Sequence, residues 1–189
     1  MMHRFAAPMA AALLLLATST PATSSAPQLT KGTLRNGVYH HTATGTEIRL
    51  PPGWKITGDE DSSGGGEAVM LSDKSGQSFY VWMTSSDTAV AEIAAALDRD
   101  AEDKIRQRAE HGVQLKMRPG TLVKSAIAGG NGQSLTVAFD LPQRGDRIEY
   151  DSWVRTAKTL VYFSSACPAS SVRKIQNRLQ LLVSATVVP

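Results

Sequence analysis

From position 37 onward, the pattern of apolar and polar residues reads as strands, one long helix, more strands and a closing helix. Tyr39 to Thr42 and Thr46 to Leu50 predict short strands separated by Gly45, and Trp54 to Thr57 begins another. Asp59 to Gly66 is polar and glycine-rich, which is loop composition. Ala68 to Leu71 and Ser78 to Thr84 then read as strands. In the latter, Phe79, Val81 and Met83 face one way and Tyr80 and Trp82 the other. Both sets are bulky, so this strand is expected inside a sheet with cover on each side.

The first helical stretch carries Val90, Ile93, Ala94, Leu97, Ala101 and Ile105 at three- and four-residue steps, which makes one apolar stripe. Asp87 is the expected cap, the helix is expected to run to Glu110, and Gly112 is its natural stop. Asp100 with Lys104 and Glu102 with Arg106 are spaced as i,i+4 ion pairs on a solvated face. Leu122 to Ala128 and Gln133 to Leu141 flank Gly129-Gly130-Asn131-Gly132, a hairpin turn. Ile148 to Arg155 and Thr159 to Ser165 predict a second hairpin. Pro168 suits the first turn of a closing helix whose stripe is Val172, Ile175, Leu179 and Leu182. Hairpins outnumber long crossovers, which indicates an α+β fold with a largely antiparallel sheet, one long central helix and a C-terminal helix.

Upstream of this pattern lies an export signal. Met1-Met2-His3-Arg4 is basic, and the 13 residues Phe5 to Ala17 are almost wholly apolar, with four leucines at Leu13 to Leu16. A spanning helix needs about 20 residues. Cleavage is expected after Ala22, leaving residues 23–36, rich in Ser, Thr, Pro and Gln, as a flexible leader to a single domain over 37–189. The mature chain is therefore expected in the periplasm or outside the cell, without a transmembrane segment.

The run Ile48-Arg49-Leu50-Pro51-Pro52-Gly53-Trp54, with the element order that follows it, resembles the PsbP-like superfamily, and within it the bacterial secreted DcrB-like proteins. The resemblance spans roughly Gly37 to Val187. It implies an α/β/α sandwich with helices packed on an antiparallel sheet. It also implies an adaptor rather than an enzyme: members include an extrinsic photosystem subunit, a nuclear-transport factor that binds a small GTPase, and chaperones for secreted toxins. No shared catalytic residue carries over. Trp54 matches the hallmark turn, as a structural position capping one end of the core.

Candidate chemistry is sparse. Cys167 is the single cysteine, which excludes an internal disulfide framework and multi-cysteine zinc sites; a buried thiol is expected, the alternative being an intermolecular disulfide. Ser171 and Lys174 have Ser-x-x-Lys spacing but lack the partner motifs of the penicillin-binding enzymes, and no G-x-S-x-G elbow occurs. His40 and His41 are adjacent in a strand and so face opposite ways, while His111 stands apart. Asp59-Glu60-Asp61-Ser62-Ser63-Gly64 matches the opening of a calcium loop, but Met70 holds its twelfth position and Glu67 is the nearest substitute. Glu149 and Asp151 share a strand face with Arg147 and Arg155, expected as an exposed ion-paired surface.

The net charge of +3 is too small to indicate nucleic acid, but its distribution is uneven. Beyond Gly112 there are 10 basic and 4 acidic residues, and no acid follows Asp151. Trp153, Arg155, Arg173, Lys174 and Arg178 are therefore the expected contact surface for a protein partner in the envelope, one with an acidic face. The functional expectation is a secreted, non-enzymatic binding module acting as adaptor, chaperone or inhibitor, with no cofactor. The alternative is a small-ligand or calcium binder using Asp59 to Glu67.

Overall fold

In a computed structural model, residues 29–62, 65–127 and 131–189 are described. The expected export signal, its expected cleavage site and the expected leader up to residue 28 lie outside them, as do Gly129 and Gly130 of the expected turn. No helix among the described residues is long and apolar enough to cross a membrane.

Three short strands come first: β1 (Gly32–Arg35), β2 (Val38–His41) and β3 (Glu47–Arg49). β1 falls inside the stretch read as a flexible leader, which corrects that reading for residues 32–35. The missed signal is Asn36-Gly37. Both residues have positive φ, 50° and 74°, as a tight two-residue hairpin turn requires. Further on, Gly53 (φ 81°) closes the proline-glycine turn, and the Trp54 ring packs on Phe79 with centroids 4.6 Å apart.

The main sheet begins with β4 (Lys55–Asp61), β5 (Glu67–Ser72) and β6 (Ser78–Ser85). β4 continues through Asp61, where loop composition was expected. It is an edge strand, and its acids are tied down: Asp59 accepts hydrogen bonds from the Thr30 and Lys31 amides, and Asp61 pairs with the Lys31 ammonium at 2.6 Å.

Helix α1 (Ile93–Glu110) starts later than expected, after a 3₁₀ turn at Val90–Glu92. Asp87 does not cap it. The preceding segment instead runs alongside the turn after Arg155, with the Ser86 amide bonded to Lys158 O and the Thr88 amide to Ala157 O. Val90 is accordingly exposed and outside the stripe. Gly112 does stop the helix: its amide bonds Ala109 O and the Val113 amide bonds Arg108 O, a Schellman closure.

The rest comprises β7 (Lys116–Met117), β8 (Val123–Ala126), β9 (Gly132–Asp140), β10 (Arg147–Thr156), β11 (Thr159–Pro168), α2 (Val172–Ser184) and β12 (Thr186–Val187). Pro168 ends β11 rather than opening the helix, and a 3₁₀ turn at Ala169–Ser171 leads into α2.

An eight-stranded sheet runs β4-β5-β6-β11-β10-β9-β7, with β8 also paired to β9; a four-stranded sheet runs β1-β2-β3-β12. All pairings are antiparallel. On one face of the large sheet, Phe79, Val81, Met83, Tyr150, Val154 and Phe163 bury against Ile175, Leu179 and Leu182 of α2 and against Tyr39 and Ile48 of the small sheet. On the other, Leu135, Val137, Phe139, Trp153 and Leu160 bury against Ile93, Leu97 and Ala101 of α1. The fold is α+β, an α/β/α sandwich.

Candidate functional site

The stripe α1 turns toward the sheet begins apolar at Ile93, Leu97 and Ala101, then continues in charge through Asp100, Lys104 and Arg108. These positions recur at helical steps, so the same face that packs the core also delivers a lysine and an arginine onto the sheet. The solvated face expected for Asp100 and Lys104 is therefore corrected, and they do not pair with each other. Asp100 accepts from Nε and Nη2 of Arg155 at 2.8–3.0 Å, and Nη1 of Arg155 donates to Ser86 and Thr88. That clamp ties α1 to β10.

Lys104 reaches Glu149 and Asp151, each at 2.5 Å, and also contacts the Tyr162 hydroxyl. Tyr162 in turn donates to Asp151 at 2.8 Å, and Arg108 pairs with Glu149 at 2.7 Å. The ammonium sits 4.7 Å from the Tyr162 ring centroid and about 6 Å from those of Phe139 and Trp153. Glu149 and Asp151 are thus buried under a helix, not exposed beside Arg147 as expected. Period-two alternation put them on one face correctly; which face a helix would cover was invisible to it.

Burial opposes ionisation of all three sheet groups, and the balance differs at each. Burial raises Glu149, but Lys104 and Arg108 beside it outweigh that and hold its carboxyl below the usual range. Asp151 is fully buried, and that burial, with the Glu149 charge adding to it, pushes its carboxyl up despite Lys104. Burial and the two carboxylates push the Tyr162 phenol well up. A protonated phenol that donates to Asp151 cannot act as a base. Lys104, Glu149, Asp151 and Tyr162 are each engaged by another member of the cluster, so none of them is left as an activated nucleophile.

Beside this cluster, α1 and the sheet enclose an open groove of about 680 Å³. Its floor is set by strand register. Trp82 on β6 lies opposite Tyr162 on β11, which lies opposite Trp153 on β10; the Trp153 and Tyr162 rings are 5.1 Å apart. One step along, Tyr80 faces Ser164 and Ser164 faces Asp151. Gln107, Arg108 and His111 line the α1 wall. Ser62 joins the lining, and the Trp82 indole N–H donates to Gly65 O at 2.7 Å. Gly66 must remain small there, because a Cβ would lie 2.6 Å from Met83 O. The paired bulky faces of the Ser78–Thr84 strand signalled cover on both sides; that the second cover is a groove was not legible.

The other expected site residues scatter. Trp153 is buried under α1, 4% exposed, and Arg155 is held by Asp100, so neither offers a free contact surface. Arg173 and Lys174 are exposed on α2, across the sheet from both. Arg178 pairs with buried Asp73 and donates to Ser75, which locks α2 to the β5–β6 turn. The five residues therefore form no continuous patch.

Ser171 precedes the first turn of α2, and neither it nor Lys174 lines the groove. Cys167 is free and buried, and burial pushes its thiol up. His41 turns inward, 2.7 Å from Glu67, with burial lowering it against that carboxylate's pull. His40 turns outward to Glu47. Asp59, Asp61 and Glu67 of the calcium reading are engaged by amides, Lys31 and His41; Ser63 and Gly64 of that loop lie outside the described residues. No group of three or more His, Cys, Asp or Glu is placed to hold a metal ion among the described residues.

No family model matches the chain, and no curated protein does either. Among solved structures, the chain is similar to cyanobacterial PsbP (CyanoP) from Synechocystis sp. PCC 6803, seen in solution. Identity is 15%, the TM-score is 0.52, and the match covers 77% of this chain and 87% of that one. The likeness is one of architecture: this chain has a PsbP-like fold.

Proposed function

We propose that the chain is exported, loses residues 1–22, and works in the periplasm or outside the cell as a non-enzymatic binding module of the secreted DcrB-like kind. Its binding site is the groove between α1 and the sheet. The observation that carries this reading is the closure of the Lys104, Arg108, Glu149, Asp151 and Tyr162 network upon itself. It leaves the groove with aromatic walls for contact and no poised group for chemistry. The PsbP-like fold supports an accessory role.

An adaptor needs a second face, and Arg173 and Lys174 supply one. They sit in the first turn of α2, where the helix dipole disfavours cations, so their charge does nothing for the helix. Facing outward, they suit an acidic protein partner.

Affinity capture from the native envelope tests both faces. Wild-type protein is expected to retain a component that Trp82→Ala releases, and a protein partner that Arg173→Glu with Lys174→Glu releases. Retention by Trp82→Ala removes the groove as the site. Labelling by a serine-reactive probe would overturn the non-enzymatic reading.

A further inference from the structure

We propose that the groove binds an uncharged glycan, a chain of sugar rings laid on Tyr80 and Trp82; this rests on the groove being the binding site. Three features point there. The first is the floor: Tyr80 and Trp82 are alternate residues of one strand, both half-buried and about 7 Å apart along it. Alternate residues of a strand share a face, so the two aromatic side chains stand side by side at a spacing suited to the C–H faces of successive sugar rings, and the Trp82 ring is held in place by its bond to Gly65.

The second is charge. Each ionic group lining the groove already has a partner: Lys104 with Glu149 and Asp151, Arg108 with Glu149, Asp100 with Arg155, and Asp103 with Arg106. An anionic or cationic ligand would meet no uncompensated opposite charge. What remains for a ligand is hydrogen-bonding capacity, at the Gln107 amide, the Nε2 of His111, whose Nδ1 is engaged by Gln107 O, and the Ser164 hydroxyl oxygen, which donates to Glu149 but can still accept. Planar polar groups around an aromatic floor suit hydroxyl-rich rings.

The third is the backbone. Strands β6, β11 and β10 under the groove are each paired on both sides, so an extended peptide finds no free edge to join. The volume of about 680 Å³ lies within the range of small-ligand sites, and the groove is open to solvent.

Calorimetry with full-length mature protein tests the assignment, using chitotetraose and cellotetraose as neutral probes and a heparin tetrasaccharide as an anionic one. Saturable binding of a neutral probe, weakened about tenfold or more in Tyr80→Ala and in Trp82→Ala and largely kept in Trp82→Phe, is the expected result. Thermal melts show whether each variant is folded, and Tyr80→Ala alone carries the test if Trp82→Ala is not. Asn177→Ala, at an exposed position of α2 across the sheet, should bind as wild type does. Absence of binding by both neutral probes, or preference for the heparin fragment, overturns the glycan assignment. If neutral probes fail while Trp82→Ala still releases a captured envelope component, only the ligand class is wrong; if capture is also indifferent to Trp82→Ala, the groove itself is wrong.

Discussion

Toward α2 the large sheet presents Val81, Met83, Val154 and Phe163, all fully or almost fully buried and all apolar, and the helix answers with Ile175, Leu179 and Leu182. Toward α1 it presents Leu135 and Val137 at one end but Glu149, Asp151 and Tyr162 at the other, and the helix answers with Leu97 and then with Lys104 and Arg108. The first face is held by area removed from water, which tolerates small shifts in geometry. The second is held by buried charges that must meet their partners or incur the full cost of desolvation. A fold whose only need was stability would be expected to use the first kind of packing on both sides. The polar side is where the groove opens.

Removing one charge and removing one apolar group should therefore differ most. Lys104→Met strands Glu149 and Asp151 together and is expected to lower unfolding free energy in urea by about 3–5 kcal/mol. Replacing the set, as Lys104→Met with Glu149→Leu and Asp151→Leu, should recover most of that loss, because the partly exposed Arg108 can hydrate. If the triple variant is as unstable as the single one, the cluster's energetics are misassigned. Leu179→Ala on the dry face should cost about 2–5 kcal/mol in the same titration, with no triple variant able to rescue it by polarity.

Acid separates the faces with opposite signs. Asp73, which anchors α2 through Arg178, is buried, yet its bonds to Ser75 and Gln77 and the nearby guanidinium hold its carboxyl below 3.8. Its stabilisation is present above that value and lost as pH falls through the folded pKa. Asp73→Asn should cost about 1–3 kcal/mol at pH 7 and flatten the acid limb of stability against pH. Asp151 is raised above 3.8 by burial, so its contribution is greatest below that value and is lost as pH rises through the folded pKa. Asp151→Asn should therefore gain on wild type as pH climbs through that window. A melt series in which both variants change in the same direction would break the comparison.

The smallest effect belongs to the exposed surface of α2. Arg173→Glu with Lys174→Glu is expected to change stability by within about 0.5 kcal/mol per site, and the acid at a helix start should make the sign favourable. A large loss in a thermal melt would mean that these residues serve the fold rather than a partner.

Local periodicity was enough for much of this. The stripe Ile175, Leu179 and Leu182, the stop at Gly112 and the two hairpins around β9 to β11 each depend on residues within a few positions of one another, and each is found. The cap assigned to Asp87 failed because Ser86 and Thr88 are claimed by Arg155, about 70 positions away, a partner no local rule can see. Asn36-Gly37 was a readable hairpin signal lost in a serine- and threonine-rich context.

Taken alone, the chain's order of apolar and polar residues determined which elements form and which of their faces turn together, because a helix repeats every 3.6 residues and a strand every two. It placed Glu149, Asp151 and Arg155 on one side of β10 in this way. Only the tertiary structure decided that α1 would lie over that side, converting acids that looked solvated into a buried network and two aromatic residues into the floor of a groove. Burial is a property of what packs above a residue, and across a sheet that neighbour comes from a distant part of the chain.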